Sequence, residues 1–210
     1  MMDNFHIEKL KRAIKKRVYI FIDAANLERS VQDIKVNEKD AKEIGVNNDE
    51  VIWRVDYKQF KDFFESICDC RMVKFYSVNF QTRSHINFLT FLKRVLHIAM
   101  ETKPLKEYED HTEECPHRKA NFDVEIAVDA TFEMDNYETL ILFSGDCDFE
   151  YLIKFLRKHN KNVIVFSRSG HVAKELPLAS SYYFDIIYFR NDLLKISKSK
   201  RPRQEGGIRS

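Results

Sequence analysis

The sequence predicts an α/β fold, a mostly parallel sheet with helices on both faces. Two observations predict it. Short β-branched and aromatic runs are apolar at nearly every position, as strands buried on both sides must be. Longer segments with apolar residues at i, i+3 and i+4 separate them, the alternation that βαβ units require.

Taken in order, residues 9–17 (KLKRAIKKR) read as a helix with a solvated basic face. Strands are expected at 18–22 (VYIFI), 72–78 (MVKFYSV), 139–144 (TLILFS) and 162–167 (NVIVFS), with a fifth at 186–189 and a weaker edge strand at 103–108. Helical spacing covers 57–67, 84–100, 122–134 and 149–159. Residues 31–54 are polar and carry no clear period, and 109–121 read as a charged loop. No internal repeat interrupts this pattern. One domain, 18–194, is therefore expected between a basic N-terminal extension, 1–17, and a tail, 195–210, rich in Lys, Arg, Ser, Pro and Gly that reads as a disordered basic arm.

Composition agrees with one core. The chain has 210 residues, 44% of them hydrophobic, with 35 Lys+Arg against 33 Asp+Glu. Its 17 Phe and 9 Tyr exclude wholesale disorder. No apolar run approaches the roughly 18 to 20 residues of a bilayer span, and the first residues lack the apolar stretch of a secretory leader. A cytoplasmic protein without membrane partners is expected. Cys68, Cys70, Cys115 and Cys147 read as free thiols. A zinc site would draw on His111, Cys115 and His117 with Cys68 and Cys70, but the paired ligand spacing of structural zinc is missing.

In a parallel sheet the C-terminal ends of the strands share one edge with the first turns of the following helices, and sites are built there. Asp23 follows VYIFI, with Asn26 three residues on. The TLILFS run leads from Ser144 through Gly145 into Asp146 and Asp148. Asp123 stands at the head of an apolar stripe with Ala127, Ala130 and Met134, whereas Glu125, Asp129 and Glu133 form a separate acidic face. Singly, each acid could cap a helix or shape a turn. Converging together, they would repel unless a cation offset their charge. An all-oxygen set favours Mg²⁺ or Mn²⁺ over zinc, and phosphodiester hydrolysis is the matching chemistry.

These residues resemble the NYN-domain proteins, in particular the LabA-like branch of the PIN-like nuclease superfamily. The resemblance is carried by YIFIDAANL (19–27), FDVEIAVDA (122–130) and TLILFSGDCDFEYLIKFLRKHNKNVIVFS (139–167), with a softer match at HVAKELPLASSYYFDI (171–186). It implies a PIN-like three-layer α/β/α sandwich and a metal-dependent endoribonuclease leaving 5′-phosphate and 3′-hydroxyl ends. By position, Asp23, Asp123, Asp146 and Asp148 look like the catalytic and metal-binding acids. Asp129 also matches the family pattern, but the helical wheel turns it away from Asp123, and Glu125 belongs on the solvated face. Asn26, Ser144 and Arg168 are candidates for contacting the substrate phosphate. Where many relatives carry Lys-Gly, this chain has Lys119, Ala120, Asn121 and Phe122, so a backbone approach to phosphate there is in doubt.

Single-stranded RNA is the expected partner, since a narrow acidic cleft reaches an unpaired backbone more readily than a duplex. Phe80, Tyr182 and Tyr183 could stack on bases or pack in the core. A homodimer stays open. The rival readings are a catalytically silent RNA- or protein-binding module and an aspartyl-nucleophile phosphohydrolase. The second is weakened by Ala25, which stands where such enzymes carry another acid.

Overall fold

A computed structural model describes residues 2–43, 45, 51–104, 106–107, 118–119 and 121–198. His111, Cys115, His117 and the tail beyond Lys198 lie outside the described residues. In chain order the elements are α1 (Met2–Ala13), β1 (Val18–Asp23), α2 (Ala24–Gln32), α3 (Glu38–Glu43), β2 (Val51–Val55), α4 (Tyr57–Ile67), β3 (Cys70–Asn79) and α5 (Arg83–Arg94). Then come β4 (Ala99–Pro104), β5 (Lys106–Glu107), β6 (Arg118–Lys119), α6 (Asp123–Phe132), β7 (Thr139–Phe143), α7 (Glu150–Lys158) and β8 (Asn162–Ser167). The last elements are α8 (Glu175–Ala179), β9 (Tyr182–Asp185), α9 (Arg190–Leu193) and β10 (Leu194–Lys198).

Six strands form one sheet in the order β4-β3-β1-β7-β8-β9, each pair parallel. Alternate residues of its central strands feed two separate cores. Ile20, Ile22, Ile141, Phe143, Ile164 and Phe166 join α1, α2, α4 and α5 on one face. Phe21, Leu140, Leu142, Val163 and Val165 join α6, α7 and α8 on the other. Every residue of β7 and β8 is buried, which is why these strands read as unbroken apolar runs. The result is the expected three-layer sandwich.

Several boundaries differ from the sequence reading, each for a local reason. The helix expected over 84–100 stops at Arg94, because His97 adopts a positive φ of 52° and β4 begins at Ala99. The run 186–189 is a 3-10 turn instead of a strand. The strand has already ended at Asp185, whose Oδ1 accepts the Ile187 N–H at 3.0 Å and caps the turn. Residues 195–198, expected within a disordered arm, complete β10, which pairs antiparallel with β2. The extension before β1 is part of the interior: Leu10 is 0% exposed, and Asn162 Nδ2 donates to the Ala13 carbonyl at 2.9 Å.

Successive strands run outward from β1 through β3 to β4 on one side and from β7 through β8 to β9 on the other. The order reverses between β1 and β7, where open α/β sheets leave a crevice beyond their strand ends.

Candidate active site

Register alone brings the first acids together. Asp23, the last residue of β1, lies beside Tyr76 of β3. Ile22 pairs with Phe143, so Ser144, Gly145 and Asp146 leave β7 next to Asp23. The first turn of α6 adds Asp123. A cleft of about 340 Å³ results, with Asp23, Asn26, Arg29, Tyr76, Asp123 and Asp146 in its walls.

Each wall is held by short-range contacts. Asp23 caps α2, its Oδ1 accepting the Asn26 N–H at 3.2 Å while its Oδ2 accepts the Ser144 hydroxyl at 3.2 Å. Asn26 Oδ1 in turn accepts the Gly145 N–H at 2.8 Å. The Asp146 carboxylate caps the 3-10 turn Cys147–Phe149, accepting the Asp148 N–H at 3.1 Å. Gly145 is required by close approach: a Cβ there would stand 2.1 Å from the His171 carbonyl oxygen and 2.7 Å from Ser167 Oγ. Asp123 is set by Asn121, whose Oδ1 accepts its N–H at 2.7 Å. Lys103 secures the same turn, donating to the Asn121 carbonyl at 3.0 Å, lying over the Phe122 ring and pairing with Glu125.

Electrostatics divides the acids into two groups. Asp129 is occupied, with Lys74 Nζ at 2.5 Å and the Tyr76 hydroxyl donating to it at 2.8 Å. Glu125, expected on a solvated face, is held by Lys103 and its carboxyl is lowered below the usual range. Asp23, Asp146 and Asp148 make no salt bridge among the described residues. Burial pushes the Asp23 carboxyl above its ordinary pKa, the Asn26 N–H and Ser144 hydroxyl oppose that, and the charges of Asp123 and Asp146 add to it.

The model of the NYN domain matches residues 17–187. The chain belongs to the NYN-domain family. It is 37% identical over 106 residues to "Low amplitude and bright protein LabA" from Synechococcus elongatus, a match covering 50% of this chain and 55% of LabA. The chain thus spans only about half the length of that relative. A crystal structure of a protein of unknown function from Vibrio parahaemolyticus shares the fold, with a TM-score of 0.63 at 21% identity, over 86% of this chain and 97% of the other. The PIN-like α/β/α architecture and membership of a nuclease family follow.

Within this NYN domain the expected site residues separate by position. Asp23, Asp123, Asp146 and Asn26 meet in the cleft. Asp148 stands exposed at its border, where Asp146, Cys147 and Asp148 bring ligand atoms within 4.8 Å of one another. Ser144 is 1% exposed and lies beneath Asp23, its hydroxyl donating to that carboxylate and accepting the Asp146 N–H at 3.3 Å. Arg168 is absent from the cleft wall; its Nη1 is buried without a partner among the described residues. Arg29 lines the cleft instead, one helical turn beyond Asn26, a spacing that the sequence already carried.

The donor set fits a hard divalent cation. Its atoms are carboxylate oxygens, and the one adjacent thiol, Cys147, is held above its usual pKa by desolvation and by the Asp146 and Asp148 charges, so it stays protonated. A cation would also relieve the repulsion and desolvation carried by Asp23. Among the described residues no helix is long and apolar enough to cross a membrane.

Proposed function

We propose that this NYN domain is a metal-dependent endoribonuclease acting on single-stranded RNA. The reading is supported by one observation above all: Asp23, Asp123 and Asp146 share a cleft at the point where the strand order reverses, while two neighbouring acids of α6 are neutralised by lysines. Asp23, desolvated and without a salt bridge among the described residues, suits a cationic cofactor.

Asp23, Asp123 and Asp146 would hold Mg²⁺ or Mn²⁺, with Asp148 contributing from the border. Such an ion supplies a bound water of lowered pKa and neutralises charge on the phosphate. The chain's residues do the rest. Ser144 and Asn26 keep the Asp23 carboxylate and the Gly145 turn in register. Arg29 faces the entering phosphate as a counter-charge. Products with 5′-phosphate and 3′-hydroxyl ends are expected.

End-labelled single-stranded RNA incubated with Mg²⁺ or Mn²⁺ tests the reading. Cleavage should vanish with chelator and fall by roughly 100-fold or more in Asp146→Asn. Cleavage indifferent to both changes, or metal-insensitive RNA binding with no cleavage, would overturn it, the second in favour of a binding module.

A further inference from the structure

A second, larger pocket lies beside the acidic cleft. It encloses about 540 Å³, and Glu28, Ser77 and Phe80 line both spaces, so the two adjoin along a shared wall. That volume falls in the range of sites that take a nucleotide-sized ligand. Its inner surface is aromatic: Trp53 from β2, Tyr57 from the start of α4 and Phe88 from α5.

Three features fit a nucleobase. Phe80, at the shared wall, is 46% exposed yet held in place, its ring edge-on to His85 at 5.2 Å while His85 Nε2 sits 2.8 Å from the Val78 carbonyl oxygen. An exposed but fixed ring is a stacking platform. The Tyr57 hydroxyl is shut off from solvent and has no hydrogen-bond partner among the described residues, although Tyr57 lines the pocket. An unpaired buried hydroxyl is costly, and a modest shift of the ring toward the pocket would let a polar atom on a base edge satisfy it. The Glu28 carboxylate adds an acceptor suited to an exocyclic amino group. Arg54 lines the same pocket, where its charge acts on the Glu28 carboxyl, and it adds a cation for the backbone phosphate that accompanies the base.

We propose that this pocket holds a base of the single-stranded RNA next to the scissile phosphate, stacked on Phe80 and read by Tyr57 and Glu28. The inference rests on the nuclease reading for its substrate, but not for its test. Trp53 is the sole tryptophan of the chain and lines the pocket, so its fluorescence reports occupancy without turnover.

The measurement titrates single-stranded RNA, its abasic counterpart and 5′-mononucleotides into the full chain in chelator, with cleavage assayed in parallel with Mg²⁺. Saturable change in Trp53 emission with RNA and none with the abasic strand is expected. Affinity should fall roughly tenfold in Phe80→Ala and severalfold in Tyr57→Phe, a conservative variant that keeps the ring. Cleavage with no Trp53 response overturns the base pocket and leaves the nuclease reading standing. A Trp53 response without cleavage keeps the pocket and overturns the nuclease. A response to mononucleotides that RNA does not displace overturns the RNA assignment in favour of a free-nucleotide site.

Discussion

Asn26 Oδ1 accepts the Gly145 N–H at 2.8 Å, joining α2 to the turn after β7 across 119 residues of sequence. Because Asp23 caps the same helix and Asp146 follows Gly145, this bond fixes the separation of two acids. Asn26→Ala should leave the fold intact and weaken Mn²⁺ affinity about 10- to 100-fold, as loss of an outer support commonly does. Calorimetric titration of Mn²⁺ checks it; unchanged affinity would show that the bond does not organise an ion site.

Asp23 carries a pH signature. Its pKa is raised in the folded protein, so the folded state takes up that proton more readily than the unfolded chain. The associated stability is complete below the ordinary carboxylate pKa and is lost as pH rises through the elevated folded value. At pH 7 without divalent ions, Asp23→Asn should therefore melt about 2 to 4 °C above the parent protein, equivalent to about 1 kcal/mol in a domain of this size. The gap should close on acidification through that window. Mg²⁺ should raise the melting temperature of the parent and not of the variant; a variant that melts lower at pH 7 contradicts the argument.

Asp129 serves stability. Lys74 and Asp129 are 18% and 27% exposed, so removing the charge strands a half-buried ammonium and leaves the Tyr76 hydroxyl with a poorer acceptor. Asp129→Asn should cost about 2 kcal/mol in urea unfolding. The Mn²⁺-induced thermal shift should persist, and its disappearance would move Asp129 into the ion site.

Gly145→Ala should be among the most damaging single changes. The obstructing atom is a backbone carbonyl of His171, which cannot rotate aside as a side chain could. A loss of about 3 kcal/mol or more is expected, read from the urea midpoint. A variant of native stability would mean that the 168–173 segment yields freely.

How much of this was legible in the sequence depended on burial. Strands covered on both faces, such as β7 and β8, appear as unbroken apolar runs, and α4 spans the residues that its spacing indicated. The acids at the strand ends were legible because topology, not side-chain detail, brings Asp23 and Asp146 to one edge. The partners of α6 were not: Lys74 lies 55 residues from Asp129, and no local pattern links them. β10 was hidden because only Leu194 and Ile196 mark its inner face amid lysines and a serine. The aromatic pocket was equally hidden, since β2, α4 and α5 contribute its rings from separate stretches.

The family outline, residues 17–187, stops short of α1 at one end and of β10 at the other. Both are bonded into the body: the carbonyl of Ala13, the last residue of α1, accepts from Asn162 Nδ2 at 2.9 Å, and Ile196 stands opposite Trp53 in the antiparallel ladder. An excised fragment trimmed to that outline would bare Leu10's cavity on one flank and strip the backing from Trp53's strand on the other. Anyone transplanting this module into a fusion should carry both flanks along, or expect an insoluble product.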